Sequence, residues 1–163
     1  QQRSAHVTQT TLYGYLKTRI GSRHALMFED EEYLKSINIA KWNIYVAAIA
    51  DCTLYVFSYL KDIKNFDEKG QAQIVFSNIL DEEKTNGLDN KIFFKAKTDF
   101  DLRLKTIEWN NYYKNKPFLN SCEALYKWAP IAEELKILDK DIVLNSIKLK
   151  WNIVENEFKD LTS

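Results

Sequence analysis

The stretch that decides the fold reads IYVAAIADCTLYVFSYL and covers residues 44–60, where nearly every side chain is apolar. It lies within a longer helical segment, residues 31–64, which begins with acidic side chains that favour a helix N-terminus. A helix that is apolar on nearly every face is either the central element of a bundle or a membrane span. The stretch is at the short limit for a span and carries Asp51 near its centre. A buried central helix is therefore favoured, and the span stays an alternative.

The rest of the chain has helical periodicity and few residues that interrupt helices. Only four Gly and two Pro occur in 163 residues, which favours long regular elements. Further helices are predicted at residues 4–19, 67–84, 88–114 and 139–161, with a short helical turn at 120–128. The sequence thus predicts an all-α fold, a single helical domain over residues 1–163. Five or six helices would form a bundle around the central helix at residues 31–64.

Apolar spacing predicts which side of two of these helices faces the core. The last helix has the clearest period, with inward positions at Ile147, Trp151, Val154, Phe158 and Leu161. For the helix at 67–84 the predicted inward positions are Ile74, Val75, Ile79 and Leu80.

Composition excludes several classes of function. Basic and acidic residues cancel, 23 against 23, so no overall positive field attracts nucleic acid or an anionic membrane. Nucleic-acid binding by direct readout is therefore not predicted. Two cysteines, Cys52 and Cys122, are too few for a secreted disulfide scaffold, and we expect reduced thiols in a reducing compartment.

Familiar catalytic and metal-binding motifs are absent from the sequence. It contains no G-x-S-x-G nucleophile elbow, no Walker A loop and no G-x-G-x-x-G. The two His, His6 and His24, are 18 residues apart and the two Cys are 70 apart, which is no metal-site spacing. We therefore expect no catalytic residues, no metal and no cofactor.

Asp51 is the most suggestive single residue. A carboxylate on an apolar helix face has its pKa raised by burial unless a partner compensates its charge. It would then be either a general base or polar anchor in a pocket, or a carboxylate bonded to a Lys, Arg or Tyr of a neighbouring helix. Lys41 and Asn43 precede it on the same helix, and Asn43 with Asp51 marks a polar seam for a ligand or for helix packing.

A second cluster of interest follows the first helix. Arg19, Arg23 and His24 could bind an anion there, or the cations could simply favour the helix C-terminus. The chain is also rich in aromatic residues, with four Trp, nine Tyr and nine Phe. They could fill the core, line a cavity or mark a partner surface, since interfaces are enriched in Trp and Tyr.

Four segments resemble a small all-helical alphaproteobacterial family of unknown function. They read HVTQTTLYGYLKTR at residues 6–19, SINIAKWNIY at 36–45, WAPIAEEL at 128–135 and DIVLNS at 141–146. Members of the family are sometimes labelled esterase, but the nucleophile elbow that such an activity requires is missing here. The resemblance implies the bacterial cytoplasm, or a mitochondrial matrix protein of the same ancestry. A chain that begins with Gln1 rather than Met agrees with the second location.

These observations predict a non-catalytic helical adaptor or structural subunit that acts through contacts with partner proteins, within a larger complex. An alternative is a bundle that binds or acts on a small apolar ligand, with Asp51 as its polar group. A third is a membrane-associated subunit that uses residues 44–60.

Overall fold

The structure, a computed structural model, describes residues 1–64 and 68–162; of His24, Ile63 and Lys64 it describes the backbone only. The described residues form seven α-helices and two short 3-10 turns, and they contain no strand. The helices are α1 (Gln2–Ile20), α2 (His24–Met27), α3 (Glu31–Lys64), α4 (Glu68–Thr85), α5 (Asn90–Thr106), α6 (Leu119–Trp128) and α7 (Glu133–Thr162). The predicted all-α fold around a long apolar helix is confirmed.

The helices group into two compact units. The middle unit consists of Gln1 and Val46–Leu119, and the terminal unit consists of Gln2–Tyr45 and Asn120–Ser163. Helix α3 contributes its first part to the terminal unit and its second part to the middle unit. That the whole chain is a single domain stays a prediction.

The core of the middle unit lies between α4 and α5 and on the second part of α3. The rings of Phe76 and Phe100 stack with centroids 3.9 Å apart. The turn between α4 and α5 contains Gly87, whose φ of +100° is a conformation that favours Gly. Asp89 then begins α5, because its side chain accepts hydrogen bonds from two backbone N–H groups of the first turn.

Two details of the middle unit differ from the prediction. Ile74 and Val75 are exposed rather than inward, because the buried row of α4 is Ala72, Phe76, Leu80 and Glu83. Helix α5 ends at Thr106, eight residues before the predicted end at residue 114. The backbone turns away at Ile107, whose ψ of 135° is extended. Residues 107–118 are held by tertiary bonds instead of continuing the helix.

The bonds that hold this segment come from Ser58 on α3. Its hydroxyl donates to the carbonyl oxygen of Trp109 over 2.5 Å and accepts from the backbone N–H of Tyr113 over 3.2 Å. Ser58 is fully buried, so both bonds are shielded from water. The Trp109 carbonyl and the Tyr113 N–H therefore have hydrogen-bond partners although α5 does not continue through them.

In the terminal unit, α1 and α7 lie against each other. Arg3 near the start of α1 pairs with Glu157 near the end of α7, while Arg19 at the end of α1 pairs with Asp139 near the start of α7. The two helices are therefore antiparallel. The buried residues of α1 include Val7, Leu12 and Leu16, and those of α7 include Val143, Ile147 and Trp151.

Helix α7 is longer than the sequence predicts. It begins at Glu133, six residues before the predicted start at 139, and Pro130 lies outside it. Ile147 and Trp151 are buried as predicted, and Val154 and Phe158 are half-buried. Leu161, also predicted to face inward, is 86% exposed because it lies in the last turn of the helix.

Helix α3 has the length and composition of a membrane span between Glu31 and Asp62. However, 67% of its most apolar window is buried inside the protein. The core helix of a bundle has the same properties, so length and hydropathy do not by themselves identify a span here.

Candidate functional site

Asp51 lies on the middle-unit part of α3 and is fully buried. Its Oδ1 accepts a hydrogen bond from Nη2 of Arg103 on α5, over 2.6 Å. The guanidinium of Arg103 also donates to the hydroxyl of Tyr112, which in turn donates to the carbonyl oxygen of Pro117 over 2.5 Å. Asp51 is thus the bonded carboxylate of a buried ion pair.

Tyr112 belongs to the same largely buried cluster as Asp51 and Arg103. Burial raises the pKa of its phenol far above the usual range, and the charge of Asp51 adds to this effect. Tyr112 therefore stays neutral and acts as a hydrogen-bond bridge between Arg103 and the segment 107–118. The cluster connects α3, α5 and that segment within the middle unit.

The other two residues of the predicted seam, Lys41 and Asn43, lie on the terminal-unit part of α3. The amine of Lys41 lies over the ring of Trp42, 5.3 Å from its centroid. Asn43 donates from Nδ2 to the carbonyl oxygen of Ile39, one turn earlier in the same helix, over 2.9 Å. Both side chains are engaged locally, which is typical of a packing seam; their role as a ligand site stays a prediction.

The predicted anion cluster divides among different environments. Arg19 pairs with Asp139, which also accepts a hydrogen bond from the hydroxyl of Tyr15 over 3.1 Å. Burial is the main cause of the raised pKa of Tyr15. Arg23 is exposed in the 3-10 turn Gly21–Arg23, and the side chain of His24 lies outside the described part of the chain. The charge of Arg19 is therefore already balanced by Asp139.

An open groove of about 320 Å³ runs between α1 and α7 in the terminal unit. Gly14 lies on the α1 side, and a Cβ added there would meet no atom within 4 Å. On the α7 side, the Lys150 amine donates to Oγ1 of Thr10 over 2.7 Å, and burial lowers the pKa of this Lys. Among the described residues no carboxylate pairs with Lys150.

Beside this groove, α7 presents an apolar row to solvent, which we call the α7 stripe. Its members are Leu138, Ile142, Leu149 and Ile153, which are 76%, 71%, 65% and 56% exposed. Steps of four, seven and four residues keep them on one face of the helix. Together they expose on the order of 500 Å² of apolar surface, near the upper end of what a monomeric protein leaves uncovered.

Sequence reasoning missed the α7 stripe because it followed only the row that turned out to be buried. The signal was nevertheless present as a second apolar row in the same helix. Residues 143, 147 and 151 form the buried row, and residues 138, 142, 149 and 153 form the exposed one. An ordinary amphipathic helix would place polar residues in that second row.

Within residues 1–64 and 68–162, no group of three or more His, Cys, Asp and Glu side chains is placed to hold a metal ion. Cys52 and Cys122 are present as thiols. Comparison of the chain with protein-family models, curated proteins and solved structures found no match.

Proposed function

We propose that this chain is a non-catalytic helical adaptor or structural subunit that works through protein contacts made by the α7 stripe. The carrying observation is the exposure of four large aliphatic side chains in one row of a well-formed helix. Single exposed aliphatic residues are ordinary on protein surfaces, but the largest apolar patch of a protein is often a functional surface, and four such residues on one helix face form a patch of this kind.

The size of the stripe supports the proposal. Covering about 500 Å² of apolar surface contributes roughly 12 kcal/mol at 25 cal/mol per Å². A partner that covers a similar apolar area of its own doubles this gross contribution. The loss of translational and rotational freedom costs about 4–15 kcal/mol, and the ordering of side chains and the desolvation of the polar rim cost more, so only a small part of this gross contribution remains as affinity.

The surroundings of the stripe fit a helical partner. Because Gly14 has no side chain, little protrudes on the α1 side of the groove, and a helix lying on the stripe can approach closely. Polar residues border the row on its open side, among them Asp141, Asn145 and Lys148, all exposed. An apolar centre with a polar rim is the usual anatomy of a protein interface.

The ligand-binding alternative has less support. It needs Asp51 as a polar group that faces a ligand, whereas the Asp51 carboxylate contacts Arg103 and lies 3.4 Å from the Tyr112 hydroxyl. Both neighbours belong to the buried cluster of the middle unit. Because these two contacts account for the position of the carboxylate, we do not propose the ligand-binding alternative.

Photo-crosslinking tests the adaptor proposal. A photoreactive amino acid at position 138 should give a protein adduct on illumination of cells that express the chain. The matched control is position 74 on α4, where Ile74 is 54% exposed but lies outside the stripe. Equal labelling at the two positions, or no adduct at 138, would contradict the proposal.

A further inference from the structure

The apolar side chains of the α7 stripe are arranged symmetrically along the helix. Leu138 and Ile142 lie four residues apart, as do Leu149 and Ile153, and the two pairs are separated by seven residues. The midpoint of the row falls between Asn145 and Ser146, which are both exposed. A row of this kind matches itself when a second copy of the helix is laid against it in the opposite direction.

We infer that the α7 stripe is the interface of an antiparallel dimer of this chain, an inference that rests on the proposed function. A two-fold axis near Asn145 and perpendicular to the helix would place Leu138 opposite Ile153 of the second copy. The same axis would place Ile142 opposite Leu149. Each of these four aliphatic side chains then faces an aliphatic side chain, whereas Leu135, 38% exposed on the same face, lies beyond them and opposite Asn156 of the second copy.

The charges on the open edge of the stripe fit the same axis. A two-fold axis in this orientation keeps each residue on its own side of the interface, so an edge residue meets edge residues of the second copy. Asp141 lies before the midpoint and Lys148 after it, and each would therefore meet the other residue type across the axis. Their offset from ideal register is two residues, or about 3 Å along the helix, within the reach of a Lys side chain.

Both charged residues point to solvent in the described part of the chain. Asp141 and Lys148 are exposed, and among the described residues neither forms an ion pair. The dimer would give each a partner, and the two ion pairs would be related by symmetry.

Asn145 supplies a further element of specificity. Its amide lies within one residue of the proposed axis, so the two amides of the dimer would face each other. A polar residue at the edge of an apolar helix interface favours one register, because other registers separate the two amides.

The area agrees with a dimer of modest affinity. The stripes of two copies would together cover about 1,000 Å², and the polar rim adds to this, near the lower bound for a specific interface. We therefore expect a monomer–dimer equilibrium rather than a permanent dimer.

Sedimentation equilibrium on the full chain from roughly 1 to 100 µM tests the inference, since modest interfaces dissociate in this range. The apparent mass should rise with concentration towards twice that of the chain. Ile142→Asp should weaken the dimer at least about tenfold, as expected for a buried anchor, without changing the helical signal or the melting temperature. Ile74→Asp, at a similarly exposed position outside the stripe, should leave the dimer unchanged.

A charge exchange tests the antiparallel geometry. Asp141→Lys alone and Lys148→Asp alone should each weaken the dimer several-fold, and the double exchange should restore it. In addition, Asn145→Cys should form an intermolecular disulfide under mild oxidation, while Lys91→Cys on α5 and the unmodified chain should not. Failure of the double exchange to rescue, or equal crosslinking of the Lys91 variant, would overturn the antiparallel arrangement.

The two proposals can fail separately. A chain that stays monomeric up to about 100 µM overturns the dimer, because even a complex of modest affinity would be populated at that concentration. If position 138 nevertheless crosslinks to a different protein in cells, the adaptor proposal stands and only the identity of the partner is wrong. If position 138 gives no adduct at all, both proposals are wrong.

Discussion

Replacing Arg103 by Met would leave the carboxylate of Asp51 buried without its counter-charge. Met retains much of the aliphatic volume of Arg, so the main change is the loss of the guanidinium and its bonds to Asp51 and Tyr112. Breaking a buried ion pair by removing one partner typically costs about 3–5 kcal/mol. Because the Arg103 side chain is 21% exposed, water can partly compensate, and we expect the lower end, about 3 kcal/mol.

Urea unfolding followed by circular dichroism measures this loss directly. In a separate thermal melt, 1 kcal/mol corresponds to about 2–4 °C for a chain of about this length, so the melting temperature should fall by roughly 6–12 °C. The matched control is Arg3→Met. The Arg3 side chain is 65% exposed in its pair with Glu157, and exposed pairs contribute only about 0–1 kcal/mol.

A double-mutant cycle separates the buried charge from lost packing. Asp51→Asn combined with Arg103→Met removes both charges, so the double variant should be more stable than Arg103→Met alone. A loss below about 1 kcal/mol for Arg103→Met, as for exposed pairs, would refute the reasoning. Equal stability of the single and double variants would show that packing, not the buried charge, accounts for the effect.

Three further predictions concern other parts of the chain. Ser58→Ala removes the partner of two part-buried backbone groups, the Trp109 carbonyl and the Tyr113 N–H, and should cost about 1–3 kcal/mol in urea unfolding. The hydrogen bond from the Tyr113 hydroxyl is the main cause of the lowered pKa of Asp62. The ionised carboxylate therefore stabilises the folded state above the ordinary Asp pKa of about 4. This stabilisation is lost as the pH falls through the lowered pKa. Tyr113→Phe should therefore raise the Asp62 titration midpoint in NMR spectra, and an unchanged midpoint would contradict this cause. Gly87→Ala should destabilise the fold by about 1–2 kcal/mol, because a side chain is strained at the positive φ of this residue. Gly14→Ala, within helix α1, should instead stabilise the fold by about 0.5–1 kcal/mol. Thermal melts of both variants would check the difference.

The long apolar helix could be predicted from the sequence because its evidence is local. Residues 44–60 have few polar side chains, and any fold must shield such a helix from water. The scarcity of Gly and Pro likewise predicted long helices with few turns. The resulting all-α fold follows from composition and periodicity alone.

The end of α5 could not be predicted in the same way. Residues 107–114 have no Gly or Pro to stop a helix, and the interruption comes from Ser58, about 50 residues earlier in the chain. Its buried hydroxyl offers hydrogen bonds to the Trp109 carbonyl and the Tyr113 N–H. Local propensity contains no information about a bond between such distant residues.

The candidate residues show the same division. The sequence identified Asp51 as a carboxylate on an apolar helix that needs a partner, but it could not indicate that the partner is Arg103, 52 residues away. The four exposed residues of the α7 stripe could have been found, since they form a regular row. The sequence contains two apolar rows in α7, and only the structure shows which of them is buried in the core.

Helix α7 carries two neighbouring rows of apolar side chains, one buried and one exposed. Val143, Ile147 and Trp151 are almost completely buried and stabilise the terminal unit, whereas the α7 stripe remains in water. A charge in the stripe therefore costs little in the isolated chain, while the same charge in the buried row would have to lose its water. If the stripe served folding alone, its side chains would have partners within the chain. They remain exposed along four turns of helix instead, and this exposure is the observation on which the proposed binding to another protein rests.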